Sequence, residues 1–183
     1  MRLLLRVLGM KHHPSNLEQT PFISVQIKIP NNDICVKAHG SNALPPVWKE
    51  EYIFNNIVLL PGSIQIALYE SRIFMRKEEI ARNEFCLDNL PIGKMILEWI
   101  PLRSILNNKS PMYVLLMMQI VNDNEEFNKN MEFVRMNLPD SLPFVYESDS
   151  FFLPDDMIKE KIEEPLNGNC LKDILSEMNV NKY

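Results

Sequence analysis

Short apolar runs set apart by Pro, Asn, Gly and Ser fill the first two thirds of the chain. They are Arg2 to Gly9, Phe22 to Ile29, Ile34 to His39, Glu51 to Asn55, Ser63 to Glu70, Asn83 to Leu87, Ile96 to Leu102 and Met112 to Val121. Runs of this length between such breakers are the spacing of an antiparallel all-β domain with eight strands. None approaches the roughly 18 apolar residues of a membrane-crossing helix. Neighbouring side chains on a strand point to opposite faces, so parity selects a buried set. That set is Leu3, Leu5 and Val7; Val25, Ile27 and Ile29; Ile34, Val36 and Ala38; Trp48, Tyr52 and Phe54; Ile64, Ile66 and Leu68; and Val114, Leu116, Met118 and Ile120. The other parity carries Arg6, Gln26, Lys28, Lys37 and Gln65, as expected where each sheet keeps one wet side.

After Val121 the alternation stops. Asn122 to Lys129 is polar, and Asn137 to Pro154 holds three prolines and several acids. Residues 122–168 therefore read as an acidic, proline-containing linker or surface-wrapping extension of a sandwich at 1–121. Residues 169–183 read as an amphipathic helix, with Leu171, Ile174, Leu175 and Met178 at helical spacing behind Asn169 as N-cap. That stripe either docks on the sandwich or lies in a groove of another protein. With 183 residues and 46% hydrophobic content, the chain suits one domain and a tail.

The net charge of −5 excludes a chain-wide basic surface for nucleic acid, so any anion site must be local. Cys35, Cys86 and Cys170 lack disulfide or metal-ligand spacing and fit reduced thiols in the cytoplasm. Met1 to Leu8 resembles a signal segment, but Arg6 interrupts it and no small-residue cleavage site follows, so it reads as the first strand. The five glycines stand singly, which excludes phosphate-cradling loops. Cys35 and His39 are roughly 13 Å apart along one strand, too far for a nucleophile and its base. Paired acids such as Glu50-Glu51 and Glu163-Glu164 read as solvated surface. No catalytic centre, cofactor or small-molecule substrate is expected.

Four segments, in order and spacing, carry a family resemblance: Thr20-Pro21-Phe22, Pro46-Val47-Trp48-Lys49-Glu50-Glu51-Tyr52-Ile53-Phe54, Leu68-Tyr69-Glu70-Ser71 and Trp99-Ile100-Pro101-Leu102. They resemble the C2 domain family over about residues 1–121. The resemblance implies an eight-stranded antiparallel C2-like β-sandwich in its permuted form, with an irregular C-terminal extension carrying the short helix. It also implies that the connections 10–21, 40–49 and 71–82 form the membrane or calcium end. If neighbouring strands alternate in direction, those connections share one pole.

Calcium takes six to eight oxygen ligands, several of them carboxylates. The family's Asp positions match Thr20, Glu70 and Arg72, which leaves one acid and introduces a cation, so calcium binding is not expected. Arg72-Ile73-Phe74-Met75-Arg76-Lys77 instead sets an apolar tip between cations, a pattern that reaches the acyl boundary while its flanks meet lipid phosphates. The rival reading folds Ile73 and Phe74 onto the core. Lys11 belongs to the same pole. Lys28 and Lys37 form a secondary patch, since C2 domains often bind phosphoinositides through lysines in this region. His12, His13 and His39 gather near Glu70, but adjacent histidines seldom reach one ion, and no metal site is assigned.

The expected function is non-catalytic, calcium-independent docking of a cytoplasmic protein on an anionic phospholipid membrane surface. The alternative is a protein-interaction scaffold or adaptor that uses the sandwich surface and the terminal helix. Neither reading involves nucleic acid.

Overall fold

The computed structural model describes residues 1–11, 22–29, 34–37, 45–59, 62–71, 76–105, 111–128 and 132–154. Its strands are β1 (Arg2–Lys11), β2 (Phe22–Ile29), β3 (Ile34–Lys37), β4 (Val47–Phe54), β5 (Ser63–Ser71), β6 (Glu78–Cys86), β7 (Met95–Ser104) and β8 (Met112–Val121). Two short strands follow, β9 (Phe133–Val134) and β10 (Leu142–Pro143), then one helical turn, α1 (Tyr146–Asp149). Met1–Phe152 forms one compact unit.

The main strands run in the order β3-β2-β5-β6-β7-β8-β1-β4. This path folds into two layers, β3-β2-β5-β6 and β7-β8-β1-β4, because β6 and β7 share only the pairs Ala81 with Ser104 and Arg82 with Arg103. Every pairing among these strands is antiparallel. Odd strands therefore run one way and even strands the other, so Lys11, Lys37, Ser71 and Ser104 all end at one pole. The opposite pole holds Arg2 beside Val121. The start and finish of the sandwich thus lie away from the ends of β1, β3, β5 and β7, as the permuted arrangement implies.

Inner-face residues interlock as the alternation requires. Leu3, Leu5, Val7, Val25, Ile27, Ile29, Trp48, Phe54, Ile64, Ile66, Leu68, Val114, Leu116, Met118 and Ile120 all belong to the buried core, and Tyr52 packs partly buried against it. Each fully buried aliphatic side chain contributes roughly 1.5–3 kcal/mol. Two strands begin earlier than expected. β4 starts at Val47 and β6 at Glu78, since solvated charges on a strand's wet face do not stop the ladder.

The expectation of a wet outer side fails for the β7-β8-β1 layer. All ten residues of β8 are buried, as are Leu4, Leu8, Leu97 and Trp99. Arg6, expected in solvent, is only 8% exposed and pairs with Glu51. The cover comes from the segment after Val121. The Asn128 N–H donates to buried Gln119 at 3.1 Å, β9 pairs in parallel with Met95–Ile96, and β10 pairs antiparallel with Glu98–Trp99. This segment closes the gap where β6 and β7 separate. Its turn uses Asn137 and Asp140 at φ 55° and 62°, residue types that tolerate the left-handed region through local side-chain bonds.

Glu98 anchors that closure. Fully buried, it accepts from the Met136 N–H at 2.8 Å, from the Ser141 hydroxyl, and from Arg135 at 3.3 Å. Residues 144–152 then form a strap on the outer face, and Gly9 is where it seats. A Cβ on Gly9 would lie 2.2 Å from the Phe152 ring. The register of β1 shifts between Val7 and Gly9, a bulge that sets this glycine beside Leu115, itself opposite Trp99.

Candidate functional site

Two surfaces gather the chemistry: the solvent face of β2-β5-β6 and the loop pole. On the first, strand register builds a row across the sheet, Lys37 opposite Gln26, Gln26 opposite Ala67, Ala67 opposite Arg82 and Arg82 opposite Arg103. Lys28 stands one row away, opposite Gln65, which is opposite Glu84. Period-two alternation puts Gln26, Ala67, Arg82 and Arg103 on one face. The result is a hollow of about 400 Å³ lined by Gln26, Lys28, Gln65, Tyr69, Glu79, Arg82, Asn83, Glu84 and Arg103.

Lys28, Arg82 and Arg103 are exposed. Arg82 is shared with Glu79 at 2.8 Å, and Glu84 accepts from Gln65 at 3.1 Å. Among the described residues no carboxylate forms an ion pair with Lys28 or Arg103. Lys28 thus sits in the hollow, and Lys37 is placed by register alone. Arg82 and Arg103 are the members that alternation missed, because the first falls in an apparent gap between runs and the second follows the last apolar residue of its run. A sheet-wide register would have revealed them.

At the pole, Arg76 and Lys77 are exposed, with the Lys77 ammonium 4.8 Å from the centre of the Tyr69 ring. The neighbouring Arg72, Ile73, Phe74 and Met75 lie outside the described residues, as do Thr20, His12, His13 and His39. Glu70 pairs with Ile23 and Glu78 in the ladder. Among the described residues no group of three or more His, Cys, Asp or Glu stands close enough to hold a metal ion. Leu171, Ile174, Leu175 and Met178 also fall outside the description.

Lys11, expected to help at the pole, has an acid partner at the end of β1. Its ammonium lies 2.5 Å from the Asp149 carboxylate and 4.1 Å from the Trp99 ring centre. Asp149 is itself buried and also accepts from the Trp99 indole at 2.8 Å and the Val145 N–H at 3.1 Å. Burial pushes the Asp149 carboxyl upward, but hydrogen bonds from Lys11, Trp99 and Val145, with the charge of Lys11, hold it below its ordinary 3.8. A depressed carboxylate gives its full stabilisation above the unfolded value and loses it as pH falls through the folded one. The strap is therefore expected to hold through mildly acidic pH and to loosen only below 3.8. Tryptophan fluorescence would record that acid step, and Asp149→Asn should abolish it.

No protein-family model matches the sequence, and no curated protein does. Solved structures do match. A C2 domain of plant extended synaptotagmin 1 aligns at TM-score 0.56 with 16% identity, over 64% of this chain and 92% of that domain. Human GIVD cytosolic phospholipase A2 aligns at TM-score 0.56 with 12% identity, over 68% of this chain but only 16% of the enzyme. CC2D1B, described as coordinating ESCRT-III activity as the nuclear envelope re-forms in mitosis, aligns at 0.55 with 11% identity, over 65% of this chain and 54% of that one. The fold is that of a C2 domain.

Proposed function

We propose that this C2-fold chain is a non-catalytic module that docks on anionic, phosphate-bearing membrane surfaces without calcium. The observation that supports it is the exposed cationic hollow, with Arg82 and Arg103 in one row and Lys28 in the next, Lys37 being placed at the row's end by register. Arginine forks match phosphate oxygens in pairs. The second contact of the proposal is the loop of residues 72–77, whose last two cations sit exposed at the pole. Its acid count falls short of what calcium requires. Among the described residues no helix is long and apolar enough to cross a membrane; the docking proposed here is peripheral, on a cytoplasmic surface.

Vesicle sedimentation in chelator tests this. The chain should pellet with phosphatidylcholine vesicles carrying phosphoinositide and remain in solution with phosphatidylcholine alone, with no change on adding calcium. Each surface cation contributes about 1 kcal/mol near an anionic membrane. The Arg82→Gln, Arg103→Gln double variant is thus expected to bind roughly 30-fold more weakly. Unchanged binding of that variant would remove the hollow from the reading, and a strict calcium requirement would remove the proposal.

The alternative, a scaffold for protein partners, has its own support. Val145, Tyr146 and Phe151 are large apolar side chains left exposed on the strap.

A further inference from the structure

We propose that the outer face of the β7-β8-β1 layer is a two-point socket for a peptide turn in which a carboxylate precedes an aromatic ring by three residues. The chain fills this socket in cis with Asp149 and Phe152.

The first point is polar and complementary in charge. The Lys11 ammonium and the Trp99 indole N–H converge on the Asp149 carboxylate at 2.5 and 2.8 Å. The second is a cradle for a ring. Phe152 meets the Trp99 face edge-on at 5.0 Å between centroids, over the spot where a side chain on Gly9 would stand. Both points belong to rigid strands, whereas the occupant is one helical turn followed by a 3-10 turn, Ser150–Phe152. A helix this short has no stability of its own in water. Its order therefore comes from the socket, and the two buried side chains are what the socket reads. Glu147 remains exposed on the same turn and takes no part in it, while the exposed Ser148 hydroxyl donates to Asp149 Oδ1 at 3.4 Å from within the occupant itself.

A tethered occupant acts at a high effective concentration, so a peptide of the same chemistry from another protein gains access by competing with it. The competitor is a peptide carrying an acid-x-x-aromatic turn.

The test uses a fluorescent peptide of residues 144–152 and anisotropy. A full chain carrying Asp149→Ala and Phe152→Ala, its own occupant disarmed, should bind the peptide at least about tenfold more tightly than the unaltered chain does. Charge-assisted hydrogen bonds to a buried carboxylate are worth that much or more. Peptides with D149N or F152A should each lose about tenfold or more, as should Lys11→Met in the protein. A folded double variant that ignores the peptide, or binds the D149N peptide equally well, overturns the proposal. If the double variant does not fold, hydrogen exchange on the unaltered chain decides: saturating peptide should speed exchange of amides 146–152, and no change overturns it. Concentration-dependent dimerisation that the peptide reverses would make the occupant a second copy and overturn the assignment to a foreign peptide.

Discussion

Trp99→Ala is expected to lower the unfolding free energy by about 3–5 kcal/mol, the range for deleting a large buried aromatic. Trp99 has no exposed surface, and it joins three things at once: the β7 ladder, the Phe152 ring and the Asp149 carboxylate. Removing it leaves a cavity under the strap and takes a donor from a buried acid, both of which are penalised. Trp99→Phe separates the two contributions. It keeps a ring but loses the N–H, so its cost should be nearer about 1–3 kcal/mol. Urea unfolding followed by circular dichroism measures both. A loss under about 1 kcal/mol for the alanine variant would mean that the strap does not belong to the cooperative unit.

Glu98→Gln should cost about 2–3 kcal/mol, although the two side chains have nearly the same shape. The buried carboxylate receives three donors, the Met136 N–H, the Ser141 hydroxyl and the Arg135 guanidinium. An amide puts its own N–H₂ against one of them. The Arg135 pair adds little of this, since that guanidinium is 42% exposed and screened by water. Most of the loss comes from the two donors packed around the acid. Hydrogen exchange should localise the effect to residues 132–143 before the sandwich itself opens. Equal protection in both proteins would show that β9 and β10 are held by something else.

Much of the sandwich was legible because one-sided strands write their burial as alternation. Val25, Ile27 and Ile29 on β2, like Ile64, Ile66 and Leu68 on β5, could be assigned from parity alone. β8 obeys no such rule. Its intervening residues, Leu115, Met117 and Gln119, are as buried as its core-facing ones, and only knowledge of what covers them explains an unbroken apolar run. The cover was hard to see because residues 122–128 and 132–152 hold their place through isolated side chains rather than a periodic pattern. Two signals were nonetheless present. Glu98 is an acid inside Met95-Ile96-Leu97-Glu98-Trp99-Ile100, and an acid in so apolar a strand requires donors brought from elsewhere. Asp149 and Phe152, spaced to share one turn, were the other.

The candidate site divided differently. Lys28 was found from the wet parity of β2, and Arg82 and Arg103 emerge only when five strands are laid in register. The partner of Lys11 was not legible, because a cation at a strand end reads as solvated until its acid, far along the chain, is brought to it.

The doubly covered β8 has a consequence for the chain while it is being made. Met112–Val121 carries no charge and no proline, the composition that self-associates as stacked strands when left uncovered. Synthesis proceeds from the N-terminus, so this stretch leaves the ribosome before the residues that shelter its outer side. For that interval the nascent chain presents a sticky, aggregation-prone surface. The strap is thus a seal applied last, and a translational pause ahead of it would prolong the most hazardous moment in the chain's birth.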